Sequence, residues 1–270
     1  MKAQTLQLPG ATLYYETRGS GPVLLLIAGG GTDAGIFEGV ASFLAHDYTV
    51  VTYDPRGNSR SPLDGPPEDQ QIEVHSDDAR RLLETVTNGP AAVFGSSSGA
   101  IVGLDLIMRH PTLVSRLVAH EPPMLEVLPD VARWRAFHDD VYDTYRREGA
   151  ESAMQKWAVG VGLDVVGPPP GAELPPDVAA TMKRMAGNLD LFLAHELLPF
   201  TRYVPDLPRL SAHKDRIVLA GGHDSREQLA YRPAALLAER FGTQVVDFPG
   251  DHGGYGAQPA AFAAKLREVL

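Results

Sequence analysis

The sequence predicts an α/β fold in which a mostly parallel sheet is flanked by helices and interrupted once by a helical insertion. Short apolar runs alternate with helical segments along residues 12–121 and again along 211–270. Such alternation is typical of parallel sheets with right-handed crossovers. Between these stretches, residues 122–210 lack the apolar pattern of a buried strand.

The clearest strand is the apolar run Val23–Ala28, because a run without polar alternation is typical of a strand covered on both faces. The predicted strands are 12–17, 23–28, 48–53, 91–95, 113–120, 216–220 and 243–248. Ser76 is a candidate cap for a helix with apolar residues on one face, extending to Val86. Further helices are predicted at 36–44, 98–110, 226–241 and 259–270.

Residues 122–210 are predicted to form a helical cap or lid over one end of the sheet. The segment is rich in aromatic side chains and is interrupted by a Gly/Pro loop at 167–171. A segment of this size that interrupts a regular sheet is better explained as a lid than as a separate domain. The predicted core is therefore 1–121 together with 211–270.

The charge and the amino-acid composition exclude several partners and kinds of chemistry. The chain has 270 residues and a formal net charge of −10, which argues against nucleic acids and anionic membranes as partners. With no cysteine, disulfides and thiolate chemistry are excluded. Because the first residues lack the apolar region of a signal peptide, a cytoplasmic location is expected. A monomer or homodimer acting on a small molecule is the expected form.

The pattern Gly-Ser-Ser-Ser-Gly at 95–99 is the strongest functional signal. It follows the apolar strand 91–95 and precedes a helical segment, which is the context of a nucleophile elbow. Small residues around the serine permit a tight turn between strand and helix. Ser97 is therefore the predicted nucleophile.

A serine nucleophile needs a general base and a carboxylate that orients it. His252 follows the last predicted strand within a Gly-rich loop, and Asp224 follows the strand 216–220. The chain order of Ser, acid and His then matches that of a nucleophile-elbow enzyme. His252 is the predicted base and Asp224 the predicted acid. Glu121, just after the strand 113–120, and Asp251 are the rival acids.

The oxyanion of an acyl-transfer intermediate requires backbone N–H donors. The predicted donors are Ser98, next to the nucleophile, and Gly30, in the glycine run that follows the strand 23–28. Gly31 is the neighbour most easily confused with Gly30. A phosphate-binding alternative is disfavoured because neither a P-loop nor a complete dinucleotide fingerprint is present.

These motifs together resemble the α/β-hydrolase fold family. The blocks that carry the resemblance are 29–31, 54–61, 95–99, 222–224 and 250–253. Within the second block, Asp54 and Arg56 are expected to be structural, and Ser59 stands where glycine is usual. Ala28 stands where the family often has a histidine that braces the glycine run 29–31, which we call the oxyanion loop. In this chain the oxyanion loop must therefore be held differently. The resemblance implies that the helical cap is inserted after the sixth strand.

The resemblance also implies a serine hydrolase that cleaves a carboxylic ester, lactone or thioester of a small to medium, largely apolar substrate. No metal or organic cofactor is implied. The residues predicted to line the pocket are Gly31, Trp134, Phe137, Trp157 and Phe192. The alternatives are a C–C hydrolase, a hydroxynitrile lyase or a perhydrolase with the same triad, and a non-catalytic ligand receptor of this fold.

Overall fold

A computed structural model describes residues 1–163 and 173–270, so the predicted loop at 167–171 lies outside the described residues. The described strands form one sheet of eight, in the order β1-β2-β4-β3-β5-β6-β7-β8. Only β1 and β2 run antiparallel to their neighbours. The strands are β1 Lys2–Leu8, β2 Ala11–Arg18, β3 Val23–Ile27, β4 Thr49–Tyr53, β5 Ala91–Ser96, β6 Val114–His120, β7 Ile217–Gly222 and β8 Val246–Phe248.

Helices connect the parallel strands. Those that flank the sheet are α1 Glu38–Leu44, α2 Ile72–Val86, α3 Ser98–Arg109, α9 Tyr231–Phe241, α10 Gly254–Ala257 and α11 Pro259–Val269. Between β6 and β7 lie α4 Val131–Glu148, α5 Ala150–Val161, α6 Pro176–Leu191, α7 Leu197–Thr201 and α8 Leu207–Ser211. We call α4 to α8 and their connections the helical segment. Within the described residues, no helix is both long and apolar enough to cross a membrane.

The two faces of the sheet carry separate apolar cores, which explains the uninterrupted apolar runs in the sequence. In β3, Leu25 and Ile27 pack into the core beneath α2 and α3, whereas Leu24 and Leu26 pack into the core beneath α1 and α11. A strand buried on both faces needs apolar residues at every position. The predicted α/β fold with a mostly parallel sheet is therefore confirmed.

The predicted elements differ from the structure at the edges of the sheet and in α2. That helix begins at Ile72, so Ser76 lies buried within it and does not cap it. Strand β1 was missing from the prediction because its sequence, KAQTLQL, is largely polar and exposed on one side. The predicted helix 226–241 begins only at Tyr231, because the chain first makes a short 3₁₀ turn at His223–Ser225. That turn determines where Asp224 points.

Candidate active site

Ser97 stands at a sharp turn between β5 and α3. Its backbone has φ 56° and ψ −130°, a region that non-glycine residues rarely occupy and that is found at strained functional turns. A Cβ on Gly95 would lie 2.3 Å from the carbonyl oxygen of Gly99, and a Cβ on Gly99 would lie 2.3 Å from that of Ile27. Both glycines are therefore required, and the geometry is that of the predicted nucleophile elbow.

His252 lies in the loop that follows β8, in which Gly250 has a positive φ of 82°. Its Nδ1 lies 2.5 Å from Oε2 of Glu121, so Nδ1–H donates to the carboxylate. Nε2 is thereby left as the acceptor nitrogen of the ring. Both His252 and Ser97 line one cavity. Histidine and serine are thus brought together as the sequence predicted.

The carboxylate partner of His252 is Glu121, at the end of β6. Its backbone is also left-handed, with φ 48°, and its side chain is completely buried. The amide of Gly222 donates to Oε1 at 2.8 Å, so both carboxylate oxygens are occupied. Burial by itself would raise the pKa of Glu121, but the bonds with His252 and Gly222 hold it below its usual value. Glu121 is therefore ionised and fixed in place.

The prediction that Asp224 orients His252 is corrected by this geometry. Asp224 lies in the 3₁₀ turn after β7, where its side chain is exposed and its backbone amide donates to Gly250. The rival Asp251 is also exposed and accepts from the amide of Gly253, two residues on. Glu121, the other rival, is the acid that reaches the imidazole.

His120 lies beside this pair but makes different contacts. Its ring is buried, Nδ1 lies 3.2 Å from the hydroxyl of Ser96, and the ring stacks on His252 at 6.1 Å between centroids. Burial lowers the pKa of His120 to about 4, so it is neutral. Together His120, Glu121 and His252 place three potential metal ligands within 4.8 Å. Both oxygens of Glu121 already accept hydrogen bonds, so this cluster is poorly suited to bind a metal ion.

The structure places both predicted oxyanion donors at the wall of one cavity. Gly30 and Ser98 line the same cavity as Ser97 and His252. Gly31 does not line this cavity, and its N–H donates to Oε2 of Glu196 at 3.2 Å. Gly31 is therefore unsuited to hold an oxyanion, which leaves Gly30 as the candidate.

The cavity over the elbow has a volume of about 70 Å³ and mainly apolar walls. Of the predicted pocket residues, Trp157 and Phe192 line it, whereas Gly31, Trp134 and Phe137 do not. Trp134 instead packs in an apolar cluster with Leu128 and Leu229, and its indole N–H donates to Asp130. Aromatic side-chain type by itself does not identify the lining residues, because the position on the helix decides which side chains face the cavity. The apolar lining missed by sequence includes Leu125, Val161, Leu197 and Leu229.

His138 is a polar side chain among these apolar walls. It is buried, and its Nδ1 lies 2.8 Å from the carbonyl oxygen of Trp134, one helical turn earlier. Because a carbonyl only accepts, Nδ1 carries the proton and Nε2 is an acceptor. Burial lowers the pKa of His138, which keeps this neutral form.

Asp54 and Arg56 have the structural roles that were expected. Asp54 is buried, accepts from the amide of Ala34 at 3.0 Å and pairs with Arg60. Arg56 forms a buried ion pair with Asp78 of α2. These contacts hold the turn at 54–61 against α2 and against Ala34, just after the oxyanion loop.

Comparisons with known proteins agree with this architecture. A family model described as the α/β hydrolase fold matches residues 22–158. The chain is 41% identical over 272 residues to the uncharacterized hydrolase YraK of Bacillus subtilis (strain 168), covering 98% of this chain and 95% of that protein. The chain therefore belongs to the α/β-hydrolase fold family, and the resemblance seen in the sequence is confirmed.

Solved structures show the same fold at lower identity. A hydrolase from Pseudomonas aeruginosa PA01 superposes with a TM-score of 0.73 at 24% identity, covering 99% of this chain and 98% of that one. A thermophilic esterase from Thermogutta terrifontis superposes with a TM-score of 0.74 at 18% identity, covering 98% of this chain and 97% of that one. These likenesses support the fold.

Proposed function

We propose that this hydrolase cleaves a carboxylic ester through a Ser97–His252–Glu121 triad and an acyl-enzyme. The observation that carries the proposal is the 2.5 Å contact between His252 Nδ1 and the buried Glu121 carboxylate, in a cavity that Ser97 also lines. This contact assigns the donor and acceptor nitrogens of the imidazole. A base so oriented is what an unactivated serine hydroxyl requires.

The mechanism follows from these positions. His252 Nε2 accepts the proton of Ser97 Oγ as the oxygen attacks the ester carbonyl, and the charge moves to the carbonyl oxygen. The amides of Gly30 and Ser98 stabilise that oxyanion. The imidazolium then donates its proton to the leaving alcohol, and water repeats the sequence on the acyl-enzyme. Glu121 stabilises the imidazolium and remains ionised throughout.

The walls of the cavity support a largely apolar substrate of small to medium size, and lactones and thioesters meet the same chemical requirements. Trp157, Phe192 and Leu229 offer apolar contact, whereas the buried His138 offers one acceptor. A substrate group that leaves this acceptor unpaired is penalised, because a buried polar atom without a partner is costly. We propose that His138 favours esters with a hydroxyl or amide N–H on the chain that enters the cavity.

A fluorophosphonate probe tests the triad directly, because it phosphonylates only an activated serine. We expect one adduct per chain by intact mass, located on Ser97 by peptide mapping and absent from Ser97→Ala. His252→Ala and Glu121→Ala should slow the reaction severely, whereas Asp224→Ala should not. A folded wild-type protein that forms no adduct on Ser97 would contradict the proposal and favour a ligand receptor.

Ester hydrolysis is distinguished from its alternatives by products. Release of both the acid and the alcohol, with uptake of one ¹⁸O from labelled water into the acid, supports the esterase. Release of an aldehyde and cyanide without incorporation of ¹⁸O supports a lyase.

A further inference from the structure

A carboxylate of the helical segment lies directly on the oxyanion loop. Glu196 ends a π-helical turn, Phe192–Glu196, which joins α6 to α7, and its side chain is 1% exposed. Its Oε2 accepts from the amide of Gly31 at 3.2 Å, and its Oε1 accepts from Nδ2 of Asn58 at 2.8 Å. π-helical turns are uncommon and are frequent at functional sites. One side chain thus joins the helical segment to two loops of the core.

The contact is close to the proposed oxyanion donor as well. A Cβ on Gly30 would lie 3.4 Å from Glu196 Oε2 and 2.6 Å from the ring of Phe192. Glu196, Gly30 and Ser98 also line a second cavity of about 10 Å³, on the order of the volume that admits a single water. Gly30 therefore lies against Phe192 and Glu196, and the peptide between Gly30 and Gly31 donates its N–H to Glu196.

The same loop has further contacts with α6. The side-chain amide of Asn188 donates to the carbonyl of Gly31 at 3.2 Å, and Arg184 pairs with the buried Asp33 at 2.6 Å. In this chain Ala28 stands where a bracing histidine is usual. The structure shows the replacement: the loop is braced from the helical segment, and Glu196 supplies the contact nearest Gly30.

We infer that Glu196 is a positioning residue that holds the oxyanion loop in its catalytic geometry through Gly31 and Asn58. It does not touch the reacting atoms, and its effect is transmitted through the peptide between Gly30 and Gly31. The inference rests on the proposed function, because it concerns the stabilisation of the oxyanion. An oxyanion donor that is displaced stabilises the transition state less than one that is held in place.

The ionised carboxylate is the form that suits this role. Gly31 N–H and Asn58 Nδ2 are both donors, so each needs an acceptor oxygen, and protonation turns one oxygen into a donor. Burial raises the pKa of Glu196 to about 6, against the opposing effects of Asn58, Gly31 and the charge of His195. The bracing contact should therefore weaken as the pH falls through about 6.

The other titratable groups that face Glu196 do not change charge in this range. His75 of α2 and Tyr53 of β4 line the second cavity with it. Burial and the charge of Arg56 lower the pKa of His75 to about 3, and burial raises the pKa of Tyr53 well above its usual value. Arg56 itself is paired with Asp78. Glu196 and the neighbouring His195 are therefore the groups to test.

Steady-state kinetics of Glu196→Gln and Glu196→Ala test the inference. We expect Glu196→Ala to lower kcat about tenfold to 100-fold with little change in KM, less than the loss of a whole oxyanion donor. Glu196→Gln keeps one acceptor and should lie between that variant and wild type. Asp190→Asn is the matched control, because this exposed carboxylate of α6 is hydrogen-bonded only to Tyr145 among the described residues. It should leave kcat unchanged.

The pH dependence separates positioning from a merely structural role. The ratio of wild-type kcat to Glu196→Gln kcat should fall toward one between pH 7 and pH 5, because protonated glutamic acid then resembles glutamine. His195→Gln should retain this fall, which excludes His195 as its origin. Asn58→Ala removes one hydrogen-bond partner of Glu196 and should also lower kcat. This variant tests the inference even if the Glu196 variants do not fold.

Two results would overturn the inference. The first is that folded Glu196→Ala and Asn58→Ala have the same kcat as wild type. The second is that the ratio of wild-type kcat to Glu196→Gln kcat does not change with pH. Fluorophosphonate labelling keeps the two proposals apart. If wild type is labelled on Ser97 and the Glu196 variants behave as wild type, only this inference fails, whereas an unlabelled wild type removes the triad and this inference with it.

Discussion

The ends of β6 and β7 make an instructive pair. The two strands are neighbours in the sheet, with His120 paired to Ala220, and each is followed closely by a carboxylate. Glu121 turns inward with φ 48°, is completely buried and contacts His252. Asp224 lies one short turn beyond its strand and is exposed. A place after a strand end is therefore not sufficient, and the backbone conformation decides which acid reaches the base.

The largest effect should come from replacing the proposed nucleophile, Ser97, or the proposed base, His252. Ser97→Ala or His252→Ala should lower kcat by about 10⁵-fold or more, as in other serine triads, with the fold retained. The measurement is steady-state hydrolysis of an activated ester, with circular dichroism as the control for folding. Turnover near the wild-type rate in Ser97→Ala would show that the chemistry lies elsewhere.

Replacing Glu121 and Asp224 by their amides tests which of the two carboxylates acts on His252. Glu121→Gln should reduce kcat by about 10³–10⁴-fold, because the amide cannot stabilise the imidazolium and favours the wrong tautomer. Asp224→Asn should change kcat by less than about threefold, because its side chain is exposed. The opposite order of effects would restore Asp224 as the acid.

A smaller effect should appear in stability against pH. The pKa of Glu121 is lowered in the folded state, so its ionised form contributes stability that is present above the unfolded pKa and lost as the pH falls through the folded pKa. Denaturant unfolding of wild type and Glu121→Gln should therefore differ less at acidic pH than at neutral pH. Asp224→Asn serves as the control at an exposed carboxylate.

The smallest effect should be on substrate preference in the cavity that Ser97 and His252 line. Replacing His138 by Leu removes the acceptor and should lower the preference for hydroxylated over alkyl esters of equal length by about tenfold. Trp134→Phe is the control, because the Trp134 indole donates to Asp130 and does not line the cavity. Equal kcat/KM ratios for the two ester series in wild type and His138→Leu would remove His138 from the account of specificity.

Much of the site follows from local sequence. The elbow at Ser97 was predicted because tight packing of strand on helix demands small residues around the nucleophile, and Gly95 and Gly99 have no room for a Cβ. His252 was predicted because it follows the last strand within a glycine-rich loop. The central parallel strands were predicted because burial on both faces leaves an uninterrupted apolar run, as in Val23–Ile27.

The sequence by itself therefore predicted the α/β class, the tight turn at Ser97 and the loops that carry His252 and Gly30, since each depends on residues adjacent in the chain. Only the tertiary structure decided that Glu121, 131 positions from His252, is its partner, and that Glu196 of the helical segment braces Gly31, 165 positions away. It also selected which side chains of α4 and α5 face the cavity. The physical reason is that these contacts depend on backbone dihedrals and on the packing of distant elements, which local residue patterns do not encode.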